Sequence, residues 1–319
     1  MLALGVDTSC YTTSAALCSD SASPRQARKL LPVPAGERGL RQSEAVFAHV
    51  RQLAQVVEEA CQDRTEPISC VCASRAPRDD VASYMPVFQV GAAFGRSLAA
   101  ALGVPFYETS HQQGHIRAAQ WGTGLKAERF LALHLSGGTT DVLLKEGAAL
   151  HPLGAAMDLH AGQLVDRVGV ALGLPFPCGP HLERLARQGK SAARVPVSLD
   201  EQALACHFSG AEAQLQRMIA GGERPENVAA EVYSALCRTV LRLLAAAARK
   251  TDVRDVLLAG GVASSQLLRE LLLERNEKRR TGLRLFFGRP EFSGDNAVGV
   301  ALLGLERLQK EEAPHGDHS

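Results

Sequence analysis

Two histidines and one aspartate are the residues of this chain whose types and spacing best suit metal chemistry. His111 and His115 lie four residues apart in SHQQGH, where Ser110 can cap a helix that begins at the first histidine. A spacing of four places both imidazoles on one helix face, so they could share one metal ion. The alternative is a pair of unrelated surface histidines. Gln112 stands where a zinc-protease helix needs a glutamate, which excludes peptidase chemistry at this site.

Asp295 is the candidate for a third, oxygen ligand. It lies in SGDNA, just before the last predicted helix, so helix capping is an equally good explanation of an aspartate there. From the residues alone, both interpretations of Asp295 stay open.

Three polar or glycine-bearing turns could bind phosphate. Glycine lets the backbone approach a phosphate, and N–H and hydroxyl groups can then donate to its oxygens. Each turn alone is weak evidence, but three together predict an adenine-nucleotide site. The residues are Thr8 and Ser9; Ser136, Gly137, Gly138, Thr139 and Thr140; and Gly260 and Gly261.

The elements that must position these residues repeat along the chain. An apolar strand, a hydroxyl-rich turn and a second apolar strand occur near residues 2–18 and again at 130–144. Helical patterns alternate with buried strands in the rest of the sequence. This pattern predicts an α/β protein with the duplicated, two-lobed fold of actin, sugar kinases and chaperone ATPases, and a nucleotide between the lobes. We expect an N-terminal lobe over 1–128, which contains the metal-binding histidines. A C-terminal lobe over 129–308 would contain the nucleotide-binding loops and a last helix that packs back on the first lobe. Residues 309–319 would form a disordered tail.

Composition excludes several classes of protein. The 319 residues carry a formal net charge of +1, which gives no overall attraction to nucleic acid or membrane. No apolar run reaches the roughly 18 residues of a membrane helix. The eight cysteines show no CxxC pair, and reduced thiols in the cytoplasm are the expectation.

Seven motifs, in order, resemble the TsaD family, whose members transfer a threonylcarbamoyl group to tRNA. The opening GVDTSC is similar to the family's GIETSC, HQQGH to its HxxxH pair, and LSGGTTD to its SGG(H/N)T loop. The segment DRVGVALGLPFPCGPHLERLA resembles DKVAxLLGLxYPGGPxxxxLA. HFSG, GGVASSQLLR and SGDNAVGVA resemble FSFSG, GGVAANxxLR and TDNAAMIA.

The resemblance implies a set of site residues. His111, His115 and Asp295 would hold one divalent metal, iron or zinc. Residues 136–140 would bind the phosphate of ATP, AMP or threonylcarbamoyl-AMP, and Asp166 the ribose hydroxyls. Gly179 and Glu183 would line the nucleoside, and Ser265 stands at a binding position where the family has asparagine. The implied reaction transfers the threonylcarbamoyl group from its adenylate to N6 of the adenosine next to the tRNA anticodon.

The chain also departs from the family's pattern. Tyr11 and Thr12 replace an acidic pair thought to support catalysis, so no catalytic residue is assigned, and residues 76–86 replace a glycine-rich segment. These changes favour a diverged paralogue. Two alternatives follow: a non-catalytic nucleotide-binding partner subunit, or a carbamoyl transferase with a small-molecule acceptor. Expected partners are tRNA and TsaB-like or TsaE-like activator subunits or a second copy. Candidate RNA-binding charges include Arg275, Lys278, Arg279 and Arg280.

Overall fold

The computed structural model describes residues 1–9, 11–32, 40–80 and 83–313. They form two compact units. Unit 1 contains the described residues of Met1–Trp121 and Gly294–Ser319, and unit 2 is Gly122–Ser293. The division thus falls seven residues before the predicted 128/129 boundary, and the chain returns to unit 1 at Gly294.

The described residues contain strands and helices in alternation. The strands are β1 (Leu2–Thr8), β2 (Thr12–Ser19), β3 (Arg25–Leu30), β4 (Cys70–Ala76), β5 (Phe106–Ser110), β6 (Arg129–Leu135), β7 (Thr140–Glu146), β8 (Ala149–Ala156), β9 (Ser198–Asp200), β10 (Ala205–His207), β11 (Asp255–Ala259) and β12 (Arg284–Phe287). The α-helices are α1 (Gln42–Cys61), α2 (Pro86–Leu102), α3 (His111–Gln120), α4 (Ala161–Ala171), α5 (Gly179–Ala186), α6 (Ser209–Ala220), α7 (Pro225–Thr251), α8 (Gln266–Arg279) and α9 (Val298–Glu312).

The two units repeat one five-stranded pattern. The sheet of unit 1 has the order β3-β2-β1-β4-β5, and unit 2 contains the equivalent series β8-β7-β6-β11-β12. In each series three strands form an antiparallel meander, and two more run parallel to its first strand. Unit 2 adds β10 and β9 beyond β8. The sheets are therefore mixed, and the repeated hairpins predicted from the sequence are β1–β2 and β6–β7.

The strands β1, β2 and β4 of the unit 1 sheet are buried on both faces, which explains the short continuous apolar runs in β1 and β2, whereas the edge strand β3 is largely exposed. Leu4 and Val6 of β1 pack in one core with Leu53 of α1. Ala3, on the other face, packs in a second core with Val300 of α9. In unit 2 the largest core gathers around α7, most of whose residues are buried.

Some boundaries and elements differ from the sequence-based expectation. The strands β3, β8, β9 and β10 and the helix α6 were not predicted, because their apolar residues follow no clear period. The helix α9 continues to Glu312, so residues 309–312 are helical rather than part of a tail; residues 314–319 lie outside the described residues. Within the described ranges, no helix is both long and apolar enough to cross a membrane.

Candidate metal centre and nucleotide pocket

The helix α3 presents both candidate histidines at its start. The Ser110 hydroxyl accepts a hydrogen bond from the Gln113 N–H at 3.2 Å, and this cap fixes His111 as the first helical residue. His111 Nε2 and His115 Nε2 lie 3.0 Å apart, with their rings nearly perpendicular. The predicted helix and the shared face are thus present.

Asp295 lies against both histidines within unit 1. Its Oδ1 is 3.2 Å from His115 Nε2 and 3.6 Å from His111 Nε2. Its Oδ2 accepts a hydrogen bond from the Ser9 hydroxyl at 2.6 Å. Among the described histidines, cysteines, aspartates and glutamates, these three form a group whose ligand atoms are close enough to hold one metal ion.

Asp7 is the site residue that sequence reasoning missed. It is fully buried near the end of β1, and its carboxylate oxygens lie 2.9 and 3.1 Å from His111 Nδ1. The Ser74 hydroxyl donates a further hydrogen bond to it. A carboxylate on the far nitrogen fixes the ring orientation and tautomer of a ligating histidine. A buried acid at a strand end, in GVDTSC, was the available signal.

Charge in this cluster shifts two ionisation equilibria. Burial alone would lower the pKa of His111, but the carboxylates of Asp7 and Asp295 outweigh it and raise that pKa to about 10. Burial would raise the pKa of Asp295, yet hydrogen bonds from His111 and His115 hold it well below its usual value. In this cluster the negative carboxylates thus stabilise the protonated form of His111, and the histidines stabilise the ionised form of Asp295.

Close backbone packing brings Asp295 to the histidines. A Cβ atom on Gly299 of α9 would lie 1.8 Å from the Gly114 carbonyl oxygen of α3, so only glycine allows these helices to touch there. On the sheet side, a Cβ on Gly5 would meet the backbone of Ala297 and Ala301 at 2.5 Å. The two contacts hold α9 against α3 and β1, and Asp295 lies three residues before α9 begins at Val298.

Unit 2 contains a pocket of about 370 Å³. Six residues that the sequence assigned to nucleotide binding line it, and Tyr233 and Ser264 are among its other walls. The six are Gly137, Asp166, Gly179, Glu183, Gly261 and Ser265. Three of them are glycines at which an added Cβ would meet open space. This volume and lining suit a nucleoside-sized ligand.

Acidic and aromatic side chains shape the pocket walls. Asp166 Oδ1 accepts the Cys178 N–H at 2.9 Å, and Glu183 Oε1 accepts the Leu267 N–H at 2.8 Å at the start of α8. Tyr233, which sequence reasoning missed, is buried and donates its hydroxyl to the Gly179 carbonyl at 3.2 Å. Burial raises the pKa of Tyr233, and the negative charge of Glu183 adds to this effect. No short motif marks a tyrosine in the middle of α7.

The loop over residues 136–139 is folded around the Ser136 hydroxyl. That oxygen accepts the N–H groups of Gly138 and Thr139 at 3.3 and 3.0 Å. A Cβ on Gly162 would lie 2.6 Å from Gly137 Cα, so the loop rests on the start of α4. Thr140 is buried, and its hydroxyl accepts the Ala161 N–H at 2.9 Å. Of the loop and the adjoining Thr140, only Gly137 lines the pocket; Thr140 supports α4.

Three more predicted residues also lie outside the lining. Gly260 adopts a φ of +97° directly against Leu135, so it serves the turn between β11 and the pocket wall. Thr8 is fully buried in unit 1, where its hydroxyl donates to the Val87 carbonyl and accepts the Gly91 N–H. Ser9 contacts Asp295 instead of lining the pocket of unit 2.

Tyr11 and Thr12, which the resemblance places where the family is expected to have an acidic pair, differ in environment. Tyr11 is 56% exposed, whereas Thr12 is buried at the start of β2, paired with Leu30 of β3. The two positions thus present one aromatic side chain to solvent and one hydroxyl to the protein interior. In segment 76–86, Val81 and Ala82 lie outside the described residues.

Comparison with solved structures shows that this chain has the actin-like ATPase fold. HypF of T. kodakarensis superimposes with a TM-score of 0.62 at 15% identity, over 97% of this chain and 48% of that one. A ROK family glucokinase from Streptomyces griseus, in complex with glucose and AMPPNP, gives 0.56 at 13% identity over 96% and 100%. The activator of the 2-hydroxyisocaproyl-CoA dehydratase from Clostridium difficile, with bound ADPNP, gives 0.53 at 13% identity over both whole chains. These likenesses confirm the predicted fold.

Sequence comparison then identifies the family. The family model TsaD, tRNA N6-adenosine threonylcarbamoyltransferase, matches residues 35–302. A tRNA N6-adenosine threonylcarbamoyltransferase of Caldivirga maquilingensis is 28% identical over 309 residues, which are 96% of this chain and 89% of the relative. The chain belongs to the TsaD family, a family of transferases that act in tRNA processing.

Proposed function

We propose that this protein is a metal-dependent transferase that moves a threonylcarbamoyl group from threonylcarbamoyl-AMP to N6 of the adenosine next to the tRNA anticodon. Family membership supports the reaction class. The support from this chain's own residues is that His111, His115 and Asp295 lie close enough together to hold one metal ion.

The donor set fits a divalent transition metal. Ligand atoms bound tetrahedrally to one zinc ion at roughly 2.0–2.1 Å lie about 3.3 Å apart. The three separations here, 3.0, 3.2 and 3.6 Å, bracket that value. Two imidazoles and one carboxylate suit either iron(II) or zinc. Because the pKa of His111 is raised, an ion that takes its Nε2 must displace a proton.

The remaining groups of unit 1 would orient the metal ligands. Asp7 would hold His111 by its Nδ1, and Ser9 would hold Asp295 by its Oδ2. When bound, the metal would supply Lewis-acid polarisation of a substrate oxygen. The ligands would need little rearrangement to receive it, since they already lie in contact.

The pocket of unit 2 would bind the adenylate. The free oxygen of Asp166 would accept hydrogen bonds from a ribose diol, while its other oxygen keeps the Cys178 contact. Tyr233 and the glycines of the lining would contact the nucleoside. Two structural neighbours carry the nucleotide analogues AMPPNP and ADPNP, which favours nucleotide binding on this fold.

In the reaction, the N6 nitrogen forms a bond to the carbamoyl carbon and loses a proton. The bond from that carbon to the phosphate oxygen breaks, and AMP leaves. Positioning of the amine and the adenylate would supply much of the rate, because the exocyclic amine is a weak nucleophile. Tyr11 is exposed at a substituted family position and is a candidate contact of the acceptor, not an assigned base.

The test combines metal analysis with a transfer assay. We expect the double variant His111→Ala, His115→Ala to lose its metal and its transfer activity, while circular dichroism shows an intact fold. Activity is measured as threonylcarbamoyladenosine in tRNA after incubation with threonylcarbamoyl-AMP, by mass spectrometry of nucleosides. Full metal occupancy in the double variant would refute the metal site.

The replaced acidic pair favours a second candidate, a non-catalytic partner subunit that binds nucleotide. The same assay separates the two. If the wild-type protein binds metal and AMP but forms no modified nucleoside, and restores activity only when added to an intact family member, the partner function holds. Carbamoylation of a small molecule with tRNA left unchanged would support the small-molecule alternative.

A further inference from the structure

A second concave site lies in unit 2, outside the residues of the nucleotide pocket. It is a cavity of about 520 Å³ between α7, the end of α8 and the segment around Glu201. Five arginines and one glutamate line it, so the lining carries a net charge of +4. The arginines are Arg238, Arg242, Arg249, Arg275 and Arg279.

The helix spacing concentrates this charge. Arg238, Arg242 and Arg249 recur at intervals of four and seven along α7, and therefore lie on one helix face. Arg275 and Arg279 are four apart on α8. Like charges at this spacing destabilise a helix. Cations at a helix C-terminus are common, which accounts for Arg279 and for Arg249 in the last turn of α7, but that effect does not explain Arg238 and Arg242.

The protein neutralises only part of the cluster. Glu201 pairs with Arg242 at 3.1 Å and Arg249 at 2.7 Å. The side chain of Arg238 donates to the carbonyl oxygens of Ser234 and Val195. Burial lowers the pKa of Arg238, and the charges of Arg275 and Arg279 act in the same direction, while Glu231 opposes them.

Arg275 supplies a separate observation. Its Nη1 atom is buried and has no hydrogen-bond partner among the described residues, although the residue lines the cavity. A buried guanidinium donor without an acceptor is unfavourable. Phosphate oxygens would satisfy it after a rotation of the Arg275 side chain that brings Nη1 to the cavity, and the planar fork of arginine matches a phosphate in two parallel hydrogen bonds.

We infer that this arginine-lined cavity binds clustered phosphate groups, supplied either by a free oligophosphate or by an RNA backbone. The site itself does not depend on the proposed transferase activity; only its assignment to tRNA would rest on that function.

The experiment measures two phosphate probes on the full-length protein. Sodium tripolyphosphate is titrated by calorimetry in phosphate-free, low-salt buffer, and dye-labelled tRNA is titrated by fluorescence anisotropy. The test variant is Arg275→Gln with Arg279→Gln. The matched control, Arg217→Gln with Arg224→Gln, removes the same charge from exposed positions of unit 2 outside the cavity. If the double variant melts at a lower temperature, the exposed single variant Arg279→Gln repeats the test.

We expect the test variant to bind at least one probe about tenfold or more weakly than the control variant, since hydrogen bonds to charged groups are lost. Loss of tripolyphosphate binding alone assigns the cavity to free oligophosphates. Loss for tRNA, with a reduced salt dependence, assigns it to an RNA backbone. The inference is overturned if both probes bind the test and control variants equally, or if neither probe binds the wild-type protein. Because no turnover is measured, a failure here is separate from a failure of the transferase proposal.

Discussion

The two candidate sites within the units are built in opposite ways. In unit 1, charged and polar side chains contact one another, since Asp7, His111, His115 and Asp295 are joined by distances of 2.9, 3.0 and 3.2 Å. In unit 2, open space is bounded by glycines and by side chains anchored to backbone groups. The first arrangement depends on which side chains converge, whereas the second depends on where side chains are missing. Substitutions should therefore affect the sites differently.

The largest effect is expected at the glycine that lets α9 touch α3. An alanine Cβ at Gly299 would overlap the Gly114 carbonyl, so the helices must separate. We expect Gly299→Ala to lower the free energy of unfolding by about 3 kcal/mol, the upper range for overpacking, and to weaken metal binding. Thermal unfolding and metal analysis measure both effects.

The control for this prediction is the facing glycine. A Cβ on Gly114 would meet a side-chain methyl of Val300 at 3.0 Å, which can move more easily than a backbone oxygen. Gly114→Ala should change stability much less. Equal losses of stability in the two variants would contradict the assignment of the effect to the backbone overlap at Gly299.

The next effect concerns metal affinity. Asp7→Asn keeps the size of the side chain but removes the charge next to His111 Nδ1. We expect metal affinity to fall about 10- to 100-fold, the range for losing such an orienting carboxylate, with AMP affinity unchanged. Competition with a chelator of known affinity measures the first quantity. The exposed Asp20→Asn serves as the control, and a matching loss there would contradict the assignment.

The contrast between the sites also explains what the sequence could predict. Residue type and a spacing of four predicted that His111 and His115 share a face, because a helix repeats every 3.6 residues. Convergence with Asp295, 180 residues further on, depends on the packing of α9 through Gly5 and Gly299, which no local pattern encodes. The resemblance to a family supplied that third residue.

The candidate nucleotide pocket was less predictable residue by residue. Glycines in a turn mark a place where a ligand can approach, but they also form ordinary turns. Gly137 and Gly261 line the pocket, whereas Gly260 serves its turn. Hydroxyl residues are ambiguous in the same way, because Thr140 was predicted to bind phosphate but its hydroxyl supports the start of α4. The sequence could not distinguish these roles because both need the same residue types.

A smaller change is expected from the acidic wall of the pocket in unit 2. Asp166→Asn can still accept the Cys178 N–H, but it loses the charge offered to a ribose diol. We expect AMP to bind about tenfold more weakly, about 1.4 kcal/mol, with metal content unchanged. Calorimetry with AMP measures this, and Asp200→Asn, exposed and outside the pocket, is the control. Simultaneous loss of metal would mean that the sites are not independent.

The smallest effect is a pH dependence that comes from unit 1. His49 is fully buried, with Nδ1 2.8 Å from the Thr13 hydroxyl and Nε2 2.8 Å from the Ser9 carbonyl. Burial lowers its pKa below the usual 6.5. The unfolded chain therefore takes up a proton near pH 6.5 that the folded chain resists, so stability is lost as the pH falls below that value.

The contribution of His111 to stability depends on pH in the opposite direction, because its pKa is raised in the folded state. This contribution is complete below the pKa of the unfolded chain and is lost as the pH rises through about 10. Between pH 7 and pH 5 the decrease in stability should thus come from His49.

We expect His49→Gln to reduce the fall in melting temperature over this interval by a few degrees at most, measured by calorimetry on chelator-treated protein. The exposed His151→Gln should leave the fall unchanged. If the fall in melting temperature is the same in His49→Gln, the buried imidazole takes up its proton without disturbing its hydrogen bonds to Thr13 and Ser9. The polar contacts among these three residues, next to Asp295, would then adapt to charge more easily than the rest of the candidate metal site.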